Sequence, residues 1–205
     1  MEKQVAMLFG TTPDELDLFA AASQISQAEA KKFFVESFRM RKGEKTGIVW
    51  WNMQDMWPQF SDAVIDYYGE RKLAWHYLSA SQRSVCLFAG EPRGWRHRLC
   101  AANDSLEPVA GTWQVRAADG SYTSDESRFS VPANGRTEIG SIPYADSLQR
   151  LYLIEWHTDA DEGRNHYISG APPWPLGAYL ADWLPLILDG GVPEWMAQAA
   201  GRSSV

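Results

Sequence analysis

A single strand-like run, Gly47-Ile48-Val49-Trp50-Trp51, lies between two helical stretches, and one strand with two helices has no sheet with which to complete a domain. On its N-terminal side Thr12-Pro13-Asp14-Glu15 is a helix start: Thr12 can cap, Pro13 suits the first turn and Glu15 completes a capping box. Leu16, Phe19, Ala20, Ala30, Phe34 and Phe38 then recur at roughly helical spacing, and a basic last turn of Arg39, Arg41 and Lys42 precedes Gly43. The spacing predicts a helix of about eight turns. On the C-terminal side Gly69 breaks the chain, and residues 71–81 look helical again through Leu73, Ala74, Tyr77 and Leu78. Helix, buried strand, polar aromatic loop and helix is the order of an α/β layer.

From Val85 the pattern changes to short alternating runs: Val85-Cys86-Leu87-Phe88, residues 97–101, 111–115 and 128–131, and Leu151-Tyr152-Leu153-Ile154-Glu155-Trp156. Turn signals separate them at Pro92-Arg93-Gly94, Asn103-Asp104-Ser105, Asp119-Gly120 and Asn134-Gly135. Short strands at this spacing predict an immunoglobulin-like antiparallel β-sandwich. The expected fold class is α+β: a helix-strand-helix segment over residues 1–82, the sandwich over 83–172, and a tail over 173–205. The tail, proline-rich and then briefly amphipathic, is expected as a strap on the sandwich that frays at its end.

A net charge of −7 argues against nucleic-acid phosphate as a partner, because that requires clustered Lys and Arg. No run approaches the apolar length of a membrane span, and the N-terminus has no secretory pattern, so the chain reads as soluble, with a cytoplasmic location favoured. Ten tryptophans are the compositional outlier; indole-rich chains either pack large cores or bind flat ligands. Cys86 and Cys100, the only cysteines, read as small strand hydrophobes, with one bridge between them as the alternative.

The strand-like run empties into Asn52, Gln54, Asp55 and Trp57. Flat indoles stack on the apolar faces of a pyranose, while carboxamides and carboxylates take its hydroxyls. Trp51, Asn52, Asp55 and Trp57 are therefore candidate carbohydrate-binding residues; a tryptophan-rich core strand followed by a loop is the other reading. Trp50, alternating to the opposite face, is expected to pack. Asp55 either binds hydroxyls or caps its own loop, and Trp57-Pro58 is either a pocket wall or a rigid turn. Glu29 and Glu36, seven residues apart on one helix, are read as a solvated or salt-bridged face rather than as catalytic carboxylates. Asp66 is expected to anchor the loop into the following helix. His157, Asp159, Asp161 and His166 cluster in sequence but read as a strand end and a turn, so no metal and no cofactor is expected. Trp95, Trp113 and Trp156 are read as sandwich core, with a carbohydrate platform as the alternative.

The stretch from Gly47 to Gly69 resembles the last barrel strand of glycoside hydrolase family 2, and most closely its β-mannosidase-like branch. That strand follows a Gly-x-x-x-Trp-Gln-x-Asn-Asp-x-Trp-Pro pattern, with an Ile-Asp-Tyr-Tyr-Gly stretch and a helix after it. Gly47, Trp51, Asp55, Trp57 and Pro58 match, as do Ile65-Asp66-Tyr67-Tyr68-Gly69, whereas Asn52 and Gln54 replace the Gln and the Asn. The resemblance implies that residues 1–82 are the C-terminal end of a (β/α)8 barrel, with Trp51 as the floor of the sugar subsite. It also implies a retaining enzyme that uses two glutamates roughly 5 Å apart. Neither glutamate motif of the family is present here. The expectation is the C-terminal portion of a retaining β-glycosidase without its catalytic pair and inactive alone, with the rest of the barrel as partner and self-association through an exposed barrel face. The competing expectation is a sandwich that acts as a carbohydrate-binding or interaction module.

Overall fold

The computed structural model describes residues 1–144 and 148–202, and the chain divides into two compact units. The first gathers residues 1–32, 49–78 and 171–205. It contains α1 (Glu2–Phe9), most of α2 (Leu16–Arg39) and the start of α3 (Leu73–Ser81). From Leu176 a short helix α4 (Leu176–Ala178) runs through a π-turn, Tyr179–Trp183, into α5 (Leu184–Ile187), and α6 (Glu194–Arg202) follows.

Helix α2 appears as expected, but it begins at Leu16, with Phe19 N–H bonded to the Glu15 carbonyl. Its buried apolar face in this unit is made of Ala21, Ala22 and Ala28 around the larger Ile25, whereas Leu16 lies largely exposed. Helix α1, which carries no capping side chain, buries Val5 and Phe9 and stops at Gly10, whose φ of +79° an L side chain rarely adopts. The tail groups with these helices in the first unit. Its anchor is Tyr179, fully buried, with the Phe9 ring edge-on at 6.4 Å and Trp174 stacked at 6.2 Å. The Tyr179 hydroxyl accepts from Tyr77 at 2.7 Å and donates to Glu29 Oε1 at 2.5 Å. Burial, reinforced by the Glu29 charge, pushes both phenols well above their ordinary range. Glu29 therefore belongs to a buried hydrogen-bond chain, not to a solvated face.

The second unit gathers residues 33–48 and 79–170 and, among the described residues, is a seven-stranded antiparallel sandwich. Strands β1 (Val85–Arg93), β2 (Arg96–Asn103) and β5 (Arg136–Pro143) form one sheet in the order β1-β2-β5. Strands β3 (Val109–Ala117), β4 (Ser127–Val131), β6 (Arg150–Thr158) and β7 (Glu162–Ser169) form the other, in the order β4-β3-β6-β7. The core comprises Phe88, Leu99, Trp113, Val115, Tyr152, Ile154 and Trp156 among others. Residues 33–39 of α2 are tied in by polar contacts. Arg39 donates to the Ser81 and Arg83 carbonyls at 2.6 and 2.9 Å, and Asn165 Nδ2 reaches Glu36 Oε1 at 2.7 Å and the Leu87 carbonyl at 2.8 Å. Glu36 is likewise buried rather than solvated.

One expected element is absent and two strands appear that the sequence pattern does not predict. Residues 47–51 form no strand and have no ladder partner among the described residues, because pairing needs a neighbour and the nearest sheet hydrogen bonds belong elsewhere. Strands β5 and β7, by contrast, were not expected from their polar sequences. Cys86 and Cys100 are both buried thiols outside any disulfide, so the alternative of a bridge is not realised. A thiol reagent should therefore label neither in the native chain and both after denaturation; one labelled thiol in the native state would contradict this burial.

Candidate functional site

The segment between the missing strand and α3 is a compact loop held by backbone pairs. Val64 and Ile65 N–H both reach the Met53 carbonyl, at 3.2 and 3.0 Å; Asp55 N–H reaches the Ile65 carbonyl at 3.1 Å, and Lys72 N–H the Val64 carbonyl at 3.0 Å. Side chains of α2 complete the frame. Gln27 Nε2 donates to the Ala63 carbonyl at 2.9 Å, and Gln24 Oε1 accepts the first N–H of α3, that of Leu73, at 2.9 Å. Asp66 behaves as expected: its Oδ1 accepts the N–H groups of Tyr68 and Glu70, both at 2.8 Å, closing the turn into α3.

At the centre of the loop is Asp55, 4% exposed. Its Oδ2 receives Lys72 Nζ at 2.6 Å, and its Oδ1 receives Gln59 Nε2 at 3.0 Å and the Ser61 hydroxyl. Burial works to raise the Asp55 pKa, but the hydrogen bonds from Lys72, Ser61 and Gln59, with the Lys72 charge, outweigh it and hold the carboxyl below its ordinary value. Both oxygens accept from protein donors, so Asp55 is held as an ionised anchor for the loop, and these donors are side chains rather than the backbone amides of a loop cap. Above it opens a cleft of about 180 Å³, lined by Gln24, Gln27, Asp55, Ser61, Tyr67 and Lys72 among others.

Asp55 lines the cleft, whereas Trp51, Asn52 and Trp57 do not. Trp51 is 82% exposed and Trp57 60% exposed, next to Met53 and Met56, which are also exposed. Asn52 is half-buried, its Oδ1 has no hydrogen-bond partner among the described residues, and its peptide bond to Trp51 is cis. Trp50 is half-buried under Lys31, whose Nζ stands 5.6 Å from the ring centroid. Lys72, Ser61 and Gln59 were missed in the sequence. The one signal that could have found Lys72 is a cation three residues after Gly69, immediately before the apolar run that opens α3.

Elsewhere, Trp113 and Trp156 lie in the sandwich core as expected, but Trp95 is 71% exposed on the β1–β2 turn. The sequence cluster of His157, Asp161 and His166 separates: His157 sits 3.5 Å from Glu162, Asp161 pairs with Arg83 at 2.6 Å and His166 is buried on β7. Among the described residues no group of three or more His, Cys, Asp or Glu side chains could hold a metal ion, and no helix is long and apolar enough to cross a membrane.

A helical segment with an aromatic-rich loop and a β-sandwich make up a fold that solved glycosidase structures share. No family model matches the chain. The particular resemblance is to the β-mannosidase-like branch of glycoside hydrolase family 2. The chain is 23% identical over 120 residues to β-mannosidase B of Emericella nidulans, spanning 51% of this chain and 14% of that protein. It is 22% identical over 120 residues to β-mannosidase B of Aspergillus niger, with the same coverage. The fold matches a β-D-mannosidase from Dictyoglomus thermophilum with a TM-score of 0.73 at 24% identity, over 83% of this chain and 22% of that one. It also matches the exo-chitosanase CsxA of Amycolatopsis orientalis with a TM-score of 0.68 at 18% identity, over 81% and 21%. The chain thus spans about a seventh of the length of its curated relatives.

Proposed function

We propose that this chain is the C-terminal portion of a retaining β-glycosidase of β-mannosidase type, which hydrolyses terminal β-linked sugars. Residues 1–82 would close the end of its (β/α)8 barrel, and the sandwich would buttress it. The observation that carries this reading is the motif from Gly47 to Gly69, which lies within a chain whose fold matches a β-D-mannosidase over 83% of its length. In that setting Trp51 is the indole floor of the sugar subsite and Trp57 its wall. Asn52 offers its unpartnered carbonyl oxygen to a hydroxyl, and Asp55, through Lys72, fixes the loop that carries them. The barrel remainder is the chain's partner, and residues 47–51 pair with its strands.

Chemistry by this route needs a general acid/base and a nucleophilic carboxylate flanking the scissile bond. Glu29 and Glu36, the glutamates nearest the motif on its N-terminal side along α2, are both engaged in hydrogen bonds, with the Tyr179 hydroxyl and with Asn165. The chain alone is therefore inactive. Purified chain should give no turnover of an aryl β-mannoside above buffer, should self-associate, and should exchange the amides of residues 47–52 at unprotected rates. Measurable turnover, or a monodisperse monomer with residues 12–80 fully protected in hydrogen exchange, would sink the proposal.

A further inference from the structure

The tip of the β1–β2 hairpin concentrates local features that the fold itself does not require. Arg93 and Arg96 are paired directly across the hairpin, which leaves Gly94 and Trp95 as a two-residue turn with φ of +58° and +63°. Two positive φ angles are what a type I′ hairpin needs, and its second position ordinarily takes glycine; a bulky aromatic there is strained. The indole gains no burial in exchange, being 71% exposed. The pair beneath it sets two like charges opposite each other, which is also unfavourable.

This arrangement is nevertheless held in place. Tyr144 N–H donates to the Trp95 carbonyl at 3.0 Å, and the Tyr144 ring stands 5.9 Å from the indole. Arg96 is locked by Nε on the Ser141 hydroxyl at 2.6 Å and by Nη2 on the Ser141 carbonyl at 3.1 Å. Neither Arg93 nor Arg96 forms an ion pair with a carboxylate among the described residues, in a chain whose net charge is −7. Unfavourable local choices that persist on a rigid element point to a ligand that uses them.

We infer that this hairpin tip is a binding site for an acidic sugar residue, a pyranose that carries a carboxylate, as at the end of a uronic-acid oligosaccharide. The exposed indole supplies the flat apolar surface for the ring, Arg93 supplies the fork-shaped donors that match a carboxylate, and Arg96, oriented by Ser141, adds its charge and its remaining Nη1 donors. A single indole with its rim is far too small for a stable protein interface, which needs roughly 800 Å² from each partner. The site does not depend on any catalytic pair, so its failure would leave the glycosidase reading untouched.

The test is binding of the full 205-residue chain to oligogalacturonate, with neutral mannan oligosaccharide as comparison, by calorimetry at low and high salt. Saturable binding of the uronate alone, weakened by salt, is expected. Trp95→Gly should weaken it about tenfold or more while leaving the melting temperature unchanged or higher, because glycine relieves the turn. Arg93→Ala/Arg96→Ala should abolish it, again without loss of thermal stability. No saturable binding, equal binding of the neutral sugar, or binding unaltered in these variants would overturn the inference. A melting temperature lowered by Trp95→Gly would also count against it, since that would make the indole structural.

Discussion

Replacing Asp55 by alanine is expected to destabilise the helical unit by about 3–5 kcal/mol, because it leaves Lys72 buried without a counter-charge. The Asp55 side chain is 1% exposed and that of Lys72 9%, so water reaching the ammonium through the cleft replaces only part of the lost solvation. The loss also reaches the donors of Gln59 and Ser61, which converge on the same carboxylate. On a chain of this size the thermal midpoint of the unit should fall by roughly 10 °C. Asp55→Ala/Lys72→Met should recover most of it, since removing both charges from a buried pair is close to neutral. Hydrogen exchange at residues 53–72 would locate the effect. A single variant within about 1 kcal/mol of the parent would show that the pair does not hold the loop.

The same carboxylate gives the unit an acid limit. Its folded pKa lies below the ordinary 3.8, so its contribution is present in full above that value and is lost as the pH falls through it toward the folded pKa. Asp55→Ala should flatten the decline of stability on that acid side and leave the neutral side parallel to the parent.

What could be read from the sequence depended on whether a segment's apolar pattern is its own or borrowed from elsewhere in the chain. The run Val85–Phe88 is buried at every position, and Leu151–Ile154 likewise, so β1 and β6 announce themselves. Strand β7, Glu-Gly-Arg-Asn-His-Tyr-Ile-Ser, buries Asn165, His166 and Ser169, and a polar side chain can be buried only with a partner in place. Those partners are Glu36 and the Leu87 carbonyl for Asn165, and His97 Nε2 at 2.8 Å for Ser169. They lie far away in sequence, and no local pattern reveals them. The candidate site divides in the same way. Asp66 is legible as a loop anchor from turn chemistry, whereas Asp55 is anchored by side chains, among them Lys72, 17 residues away. The strand expected at residues 47–51 has the composition of a strand but no neighbour, and a ladder is a property of two segments. Helix α2 shows the converse error: its large apolar residues Phe33 and Phe34 are exposed, while Ala21, Ala22 and Ala28 make the buried face. Close approach selected small residues there, and hydrophobicity scales rank them too low to mark the stripe.

Gly163→Ala should destabilise the sandwich by about 3 kcal/mol, a large effect for one methyl group. Gly163 and Trp156 are direct cross-strand partners on β7 and β6, and a Cβ at Gly163 would fall within the indole of Trp156 at Cζ2, Cε2 and Cη2. The backbone conformation is not the obstacle, since φ at Gly163 is not in the left-handed region; the obstacle is space. Trp156 is fully buried and the largest side chain in that state, so its ring cannot swing away without opening the core between the sheets. Trp156→Ala alone should cost about 3–5 kcal/mol through the cavity it leaves. The diagnostic measurement is the double-mutant cycle. In the Trp156→Ala background the methyl group enters empty volume and replaces a strand glycine, so Gly163→Ala should become neutral or mildly stabilising. Urea unfolding of the four chains gives a coupling energy near the full cost of the single glycine substitution if the clash is its cause. Additive costs would mean that Gly163 is required for its backbone instead, and the packing account of this strand pair would fail.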